Sequence, residues 1–244
     1  MTTPPDPAVL YPDVAACGSL AAALQTEGCL GGVPVTSPDS APLDRATIES
    51  TLPHREPLQI SAWEHERRWS IRGTEPFEGA VLMDGETDDL AQLARAARAW
   101  HDGASLADIR QAAPFVHLTG RFEVPDLDPA RLTESEWQYM RQQASELEYA
   151  WQQTYQALIE AAHAEPALRA LYPFTSHWAL RFSNTTRPGL TIVGPSLMAH
   201  SNGTYGVGTG FISTDLGECA TAHEAVALAV RHLPSGLGPV ALGA

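Results

Sequence analysis

Apolar and polar positions alternate with two different periods along the chain, and the two periods together predict an α+β protein. In residues 58–62 every second side chain is apolar, which is typical of a half-buried strand. Residues 68–72 and 79–83 predict two further strands, and we expect the acidic residues 84–86 to form the turn that closes them. The pattern therefore predicts an antiparallel group of short strands in the first half of the chain.

A second group of strands is expected near the C-terminus. The hairpin signal Asn202-Gly203 lies within it, and both of these residues tolerate the positive φ that a tight turn requires. The predicted strands of this group are residues 178–183, 190–193, 196–200 and 205–212.

Apolar residues spaced three and four apart predict helices, and the strongest such pattern runs from residue 134 to 164. Thr133 and Glu136 match a capping box at its start, and one continuous helix over this span would be about 45 Å long. Its Met- and Trp-bearing stripe packs in the core or forms the seam of a homodimer. The other predicted helix starts are Ser19, Thr87, Ser105, Pro166 and Thr221.

The order of these elements predicts antiparallel sheets with flanking helices and one long central helix. Residues 31–57 have loop composition, with one helical turn expected after Asp44. We expect an N-terminal α+β half over residues 1–125 and a C-terminal α+β half over 126–244 that begins with the long helix. Both halves show the order helix, strands, helix, which fits either a duplicated α-β-β-β-α unit or an α+β chain without duplication.

Charge and composition exclude several classes of function. A net charge of -14 argues against nucleic-acid binding, because that affinity comes mainly from cations that neutralise phosphates. All 15 basic residues are arginine, so Schiff-base chemistry on lysine is excluded. Arginine-, alanine- and proline-rich usage is also what a genome of high GC content produces.

Motif searches predict neither a metal nor a cofactor. Cys17, Cys29 and Cys219 are odd in number and lack the CxxC spacing of a zinc site, and no HExxH, P-loop, GxGxxG or GxSxG motif occurs. The first residues lack the basic and apolar regions of a secretion signal, and no apolar stretch approaches the ~20 residues of a membrane span. We therefore expect a cytoplasmic protein that does not enter the membrane.

Residues 171–183 carry the densest mixture of aromatic, basic and hydroxyl side chains in the chain. If residues 178–183 form a strand with His177 at its entrance, the side chains of His177 and Arg181 share one face. Trp178 then points to the opposite, apolar face. An imidazole beside a guanidinium suits binding of a carboxylate or phosphate, and His177 could move a proton. Ser176 would then also bind the ligand or partner. The alternative is a buried polar network of His177, Arg181 and Ser176 that fixes the turn.

Residues 64–69 form a second polar cluster of two carboxylates, an imidazole and two guanidiniums. Glu66 and Arg68 would share a face and pair, and Trp69 follows directly. The cluster is either part of a site, in which Glu66 joins His177 and Arg181 as a catalytic group and Arg68 and Trp69 bind a ligand, or a charged hairpin end.

Several short motifs resemble an actinomycete family of unknown function that is labelled as natural-product biosynthesis proteins. The resemblance covers most of the chain, is weakest in residues 31–57, and implies a pathway and no particular reaction. Within it, Arg169 of the Pro-Ala-Leu-Arg motif is a further candidate for binding a ligand or partner. The motifs are Tyr11-Pro12, Gly18-Ser19-Leu20, Trp100 with Gly103, Pro114-Phe115, Glu136-Trp137, residues 166–169, 171–177, 180–183 and 224–234.

Two hypotheses follow for the function. The first is an accessory protein of a specialised-metabolite pathway, binding a partner enzyme, a peptide precursor or a small-molecule intermediate. The second is a cofactor-independent biosynthetic enzyme of cyclase, lyase or hydrolase type that uses the His177 and Arg181 site.

Overall fold

A computed structural model of the chain, which describes residues 5–210 and 212–243, contains two compact α+β units. The units are Met1–Thr119 and Gly120–Ala244. Two sequence predictions fall partly outside the described residues. Residues 1–4 belong to the N-terminal segment that was considered for a secretion signal, and position 211 belongs to the predicted strand 205–212. No helix in the described parts is long and apolar enough to cross a membrane.

The first unit consists of one antiparallel sheet with helices packed on one face. Its six strands follow one another in chain order, each paired with the next, so the sheet is a meander. The strands are β1 (Val35–Thr36), β2 (Arg45–Ile48), β3 (Leu58–Ala62), β4 (Trp69–Thr74), β5 (Val81–Thr87) and β6 (Val116–Leu118). The helices are α1 (Pro7–Leu10), α2 (Pro12–Cys17), α3 (Leu20–Thr26), α4 (Leu90–His101) and α5 (Leu106–Ala112), with a 3-10 turn at Phe77–Gly79.

The core of the first unit forms where the apolar face of this sheet meets α3 and α4. Alternate residues of the strands, such as Ile48, Ile60 and Ile71, point into it, together with the fully buried Trp69 and Trp100. Burying one face of each strand in this way supplies most of the unit's stability, at about 25 cal/mol per Å² of apolar surface. The other face of the sheet carries polar residues.

Two sequence predictions in the first unit are wrong. The helical turn expected after Asp44 is instead β2, because Ala46 and Ile48 alternate with polar residues and pair with β3. The acidic residues 84–86 do not close a turn. They lie inside β5, where Asp84 pairs with Arg72 on one side and with His117 on the other.

The second unit also contains a meander sheet, with strand order β11-β10-β9-β8-β7. Its strands are β7 (Tyr172–Ser176), β8 (Ala179–Ser183), β9 (Ile192–Ala199), β10 (Tyr205–Gly208) and β11 (Gly217–Cys219). Its helices are α6 (Pro129–Glu146), α7 (Gln152–Ala164), α8 (Pro166–Arg169) and α9 (Ala222–Arg231). Asn202-Gly203 lies in the β9–β10 hairpin, but residues 200–204 connect the strands, and of the two residues only Gly203, at φ 86°, has a positive φ. A duplication of one unit into the other is not shown, and the two sheets differ in strand number.

The long helix is present as α6, but the predicted span 134–164 is divided between α6 and α7. Leu147 takes an extended conformation, with ψ 131°, and ends α6. The start is also earlier than predicted: Asp128 caps the helix by accepting from the Arg131 amide, and a proline occupies the first helical position. The predicted capping box of Thr133 and Glu136 is therefore wrong.

Glu136 has a different partner. Its carboxylate accepts two hydrogen bonds from the Arg121 guanidinium, at 3.0 and 3.1 Å, and both side chains are largely buried. The same guanidinium lies 3.5 Å from the centroid of the Tyr139 ring. The pair attaches residues 120–124 to α6. The stripe of Trp137, Met140 and Ala144 is buried, so it packs in the core of the second unit.

Other helix starts follow the sequence closely. Ser19 caps α3 by accepting from the Ala22 amide, and Ser105 caps α5. Thr221 and Glu224 form the predicted capping box at α9. The start predicted at Thr87 lies two residues later, because the Asp89 carboxylate accepts from the first amides of α4.

Tyr11 anchors the connection between β3 and β4. Its phenol oxygen lies 2.8 Å from the carbonyl oxygens of Trp63 and Arg68 and 3.0 Å from that of Glu66, and it accepts from the Arg68 amide at 3.2 Å. A single buried hydroxyl thus shapes the whole loop around residues 63–68.

Replacing this hydroxyl is therefore expected to destabilise the first unit. Tyr11→Phe leaves loop carbonyls without their donor and should lower the free energy of unfolding by about 1–2 kcal/mol. Urea denaturation measures the change, and Tyr149→Phe, at a tyrosine that is 57% exposed, is the matched control. An unchanged urea midpoint in Tyr11→Phe would contradict this role.

His163 gives the second unit a pH-dependent stability. Its ring packs edge-on against Trp137 at 5.5 Å, and its Nε2 is buried with no hydrogen-bond partner among the described residues. Burial together with Arg141 lowers its pKa. The unfolded chain, with a histidine pKa near ~6.5, then binds this proton more readily than the folded chain. The contribution of His163 to stability is thus complete above that pKa and decreases as the pH falls below it.

Measuring the free energy of unfolding in urea at pH 7.5 and at pH 5.5 tests this assignment. We expect wild type to lose stability at the lower pH, and His163→Phe, which keeps the ring contact with Trp137, to lose less. Equal losses in the two proteins would contradict the assignment to His163.

Candidate functional site

Residues 171–183 form a β-hairpin with a two-residue turn. Ser176 at the end of β7 pairs with Ala179 at the start of β8, which leaves only His177 and Trp178 between the strands. Both turn residues have positive φ, 51° and 66°, the pattern of a type I′ turn. The predicted strand from Trp178 therefore begins one residue later, and His177 lies in the turn.

This turn changes the predicted pairing of His177 with Arg181. His177 is exposed, and its Nδ1 lies 3.4 Å from the Ser176 hydroxyl. Arg181 is opposite Phe174 on β7, and its guanidinium lies 5.6 Å from the centroid of that ring. The extended segment on which the two groups were expected to share a face is not formed.

Trp178 also differs from expectation. Leu180 and Phe182 are buried as predicted, but Trp178 is 39% exposed. Arg169, the other candidate in this unit, is exposed at the end of α8, and its carbonyl accepts a hydrogen bond from the Trp137 indole. Neither residue belongs to the core.

Trp178 instead contacts the rings of Tyr149, Trp151 and Tyr155. We call these four residues the aromatic surface, and Trp178 is at its centre. Its ring centroid lies 5.3 Å from Trp151, 5.6 Å from Tyr155 and 6.2 Å from Tyr149, in edge-to-face contacts. Tyr149 and Trp151 stack at 5.6 Å. Tyr155 is buried at the base, and burial raises its pKa.

The backbone conformation of Trp178 is unusual for its residue type. A bulky side chain at positive φ costs of the order of 1–3 kcal/mol, and two-residue turns of this kind normally use Asn and Gly. Contacts with Trp151 and Tyr155 offset this cost, since aromatic pairs contribute about 0.5–1.5 kcal/mol beyond their burial. Packing between rings thus holds a tryptophan that stays partly in solvent.

The predicted cluster at residues 64–69 lies in the first unit, apart in sequence from the aromatic surface. Arg68 pairs with Glu66 and, at 3.1 Å, with Glu86, and its guanidinium lies 5.0 Å from the Trp63 ring. Glu86 and Glu66 raise the pKa of Arg68. The prediction that Glu66 and Arg68 pair is confirmed.

Arg67 and Trp69, which also belong to residues 64–69, have contacts of their own. Arg67 bonds both carboxylate oxygens of Asp13, at 2.7 and 2.8 Å, and lowers the pKa of that carboxyl. Trp69 is fully buried in the core, so it offers no surface to a ligand. The arrangement is that of a charged hairpin end in which Arg67, Arg68 and Glu66 already have partners.

The first unit has a different polar surface, which the sequence interpretation missed. Directly paired residues on neighbouring strands share a face, so the strand register places polar side chains in two rows across the sheet. We call these two rows the polar face. The first row is Thr36, Thr47, Gln59, Arg72, Asp84 and His117, and the second is Arg45, Ser61, Ser70 and Glu86. At the usual strand spacing, six strands span about 24 Å.

A hollow of about 630 Å³ lies over β3 to β6 on this face, with Phe115 at its apolar wall. Within it, His117 Nδ1 lies 3.1 Å from the Asp84 carboxylate. A second hollow of about 500 Å³ lies over β1 to β3 and shares Gln59 and Ser61 with the first. Volumes of this size are typical of sites for small molecules.

A period-two pattern in the sequence could have revealed this face. Gln59 and Ser61, and likewise Ser70 and Arg72, alternate with apolar residues. Asp84 is hard to recognise as part of this pattern because the sequence of residues 84–86 favours a turn. His117 is hard to recognise because its strand has only three residues. Among the described residues, no group of three or more His, Cys, Asp and Glu side chains is placed to hold a metal ion.

Comparison with known proteins gives one finding. No curated protein and no solved structure matches the chain significantly. Residues 131–244 match a family of unknown function, DUF6193. The aromatic surface and the β7–β8 hairpin lie in this matched region, whereas the polar face lies outside it. The second unit is thus similar to a family for which no activity is described.

Proposed function

We propose that this protein is a cytoplasmic accessory protein of a bacterial specialised-metabolite pathway, and that it binds a partner protein through the aromatic surface. The observation that carries the proposal is the group of four contacting rings from which Trp178 and Tyr149 project into solvent, 39% and 57% exposed. The pathway setting rests on the resemblance of residues 166–169 and 171–177 to actinomycete natural-product biosynthesis proteins.

Exposed aromatic rings on a rigid base are suited to protein binding. Trp and Tyr are enriched among the residues that contribute most to interface affinity, because each buries a large area at little cost in side-chain entropy. Trp151 and the buried Tyr155 hold Trp178 from below, so the ring is ordered before a partner arrives. Such preorganisation reduces the entropic cost of association.

Charge indicates the chemistry of the partner. Glu146 ends α6, and Glu148 immediately precedes Tyr149, so carboxylates neighbour the rings in the sequence. The whole chain carries a net charge of -14. We therefore expect the partner, a pathway enzyme or a peptide precursor, to present arginine or lysine side chains that stack on the rings and face the carboxylates.

Substitutions in the aromatic surface test this proposal. The proteins and any precursor peptide encoded beside the gene are purified, and binding to the full chain is measured by titration calorimetry. Trp178→Ala and Tyr149→Ala should each weaken binding about tenfold or more. Trp63→Ala, at a tryptophan of the first unit that is 37% exposed, is the matched control and should change affinity little.

Charge reversal separates this interface from nonspecific hydrophobic adhesion. Glu148→Arg should weaken binding of a basic partner, whereas Asp39→Arg, at an exposed position of the first unit, should not. Thermal unfolding verifies that each variant is folded. Unchanged affinity in folded Trp178→Ala and Tyr149→Ala, or an equal loss in Trp63→Ala, would contradict docking at the aromatic surface.

The Asp84 and His117 pair supports a second candidate function, that of a cofactor-independent enzyme. A carboxylate that bonds one imidazole nitrogen orients the ring and stabilises its protonated form, as a general acid or base requires. Unlike His177, His117 lines a hollow. His117→Gln should abolish turnover of a pathway intermediate by the purified protein, followed by mass spectrometry, and leave partner binding intact. Absence of turnover in wild type, with the partner present, would contradict this candidate.

A further inference from the structure

The polar face holds two arginines whose guanidinium groups have no partner within the described residues. Arg72 and Arg45 are exposed, and neither takes part in a hydrogen bond, an ion pair or a ring contact there. The two carboxylates of the face are already engaged, since Asp84 bonds His117 and Glu86 bonds Arg68. Cationic groups are therefore available at this surface.

Unpaired arginines are unexpected in this unit, because 17 acidic residues surround its eight arginines. Arg67, Arg68 and Arg98 each pair with a carboxylate. Arg110 lies in the last turn of α5, where a cation stabilises the helix end. Arg72 and Arg45 form no ion pair within the described residues, although Asp84 lies opposite Arg72 on the neighbouring strand.

Neutral donors lie on the β3 side of Arg72, whereas on the β5 side it lies opposite Asp84, the carboxylate that bonds His117. Ser61 and Ser70 lie opposite each other in the second row, and the Gln59 amide lies opposite Arg72 in the first. The four side chains line the same hollow, with Phe115 nearby. A guanidinium binds a carboxylate or phosphate through two parallel hydrogen bonds, and hydroxyl and amide groups add further donors to the same oxygens.

We propose that the hollow on the polar face is a small-molecule site, and that Arg72 binds an oxyanionic group of the ligand, a carboxylate or a phosphate, with Ser61, Ser70 and Gln59 as neutral donors. A ligand long enough to continue across Gln59 and Ser61 enters the second hollow and reaches Arg45. The site is independent of the partner docking proposed above, because it uses only residues of the first unit.

Titrations of the ¹⁵N-labelled full chain followed by NMR test the site. The probes are inorganic phosphate, succinate and, as the uncharged analogue, succinamide. We expect saturable shifts of the Arg72 Nε–H signal and of the Ser61 and Ser70 amides with phosphate, with succinate or with both. Saturation by succinate alone identifies a carboxylate site, and saturation by phosphate alone identifies a phosphate site.

Arg72→Gln should weaken binding of the active anion about tenfold or more, whereas Arg110→Gln should leave it unchanged. The backbone amide spectrum verifies that the sheet is intact in both variants. Three results would each overturn the proposal: no saturable shift with either anion, equal binding of succinamide, or equal weakening by Arg110→Gln.

Discussion

The aromatic surface of the second unit depends on the packing of Trp178 against Trp151 and Tyr155. The tryptophan projects from a turn between two strands, and its partners lie at and just after the break between two helices. One group of rings thus joins the β7–β8 turn to the start of α7 and to the segment before it. The same contacts hold a bulky residue at positive φ, and Tyr149 and Trp151 lie in the segment that separates α6 from α7.

The parts of the fold that were predicted correctly depend on local chemistry. Ser19 and Thr221 each cap a helix by accepting from the amide three residues later, so the sequence around each cap contains the whole interaction. The capping box at Thr133 and Glu136 has the same sequence pattern, yet it is not formed. Asp128 and Pro129 start the helix earlier. The Glu136 carboxylate accepts hydrogen bonds from Arg121, which is 15 residues away in the sequence, and not from the amide of a cap.

The candidate sites were harder to predict because they depend on strand register. Asp84 lies in an Asp-Gly-Glu sequence that favours a turn, and only its pairing with β4 and β6 keeps it in a strand. His177 and Trp178 have no intrinsic preference for left-handed conformation, so the sequence alone favours a strand there. Pairing of Ser176 with Ala179 leaves the two residues to reverse the chain.

The two-residue turn has a consequence for how this protein would respond to selection or engineering. Asn and Gly would reverse the chain between β7 and β8 without the conformational penalty that His177 and Trp178 carry. Selection of variants for thermal stability alone would therefore favour small residues such as Asn and Gly at these two positions. Such clones would retain the hairpin and lose the indole, and with it the binding that we propose for the aromatic surface.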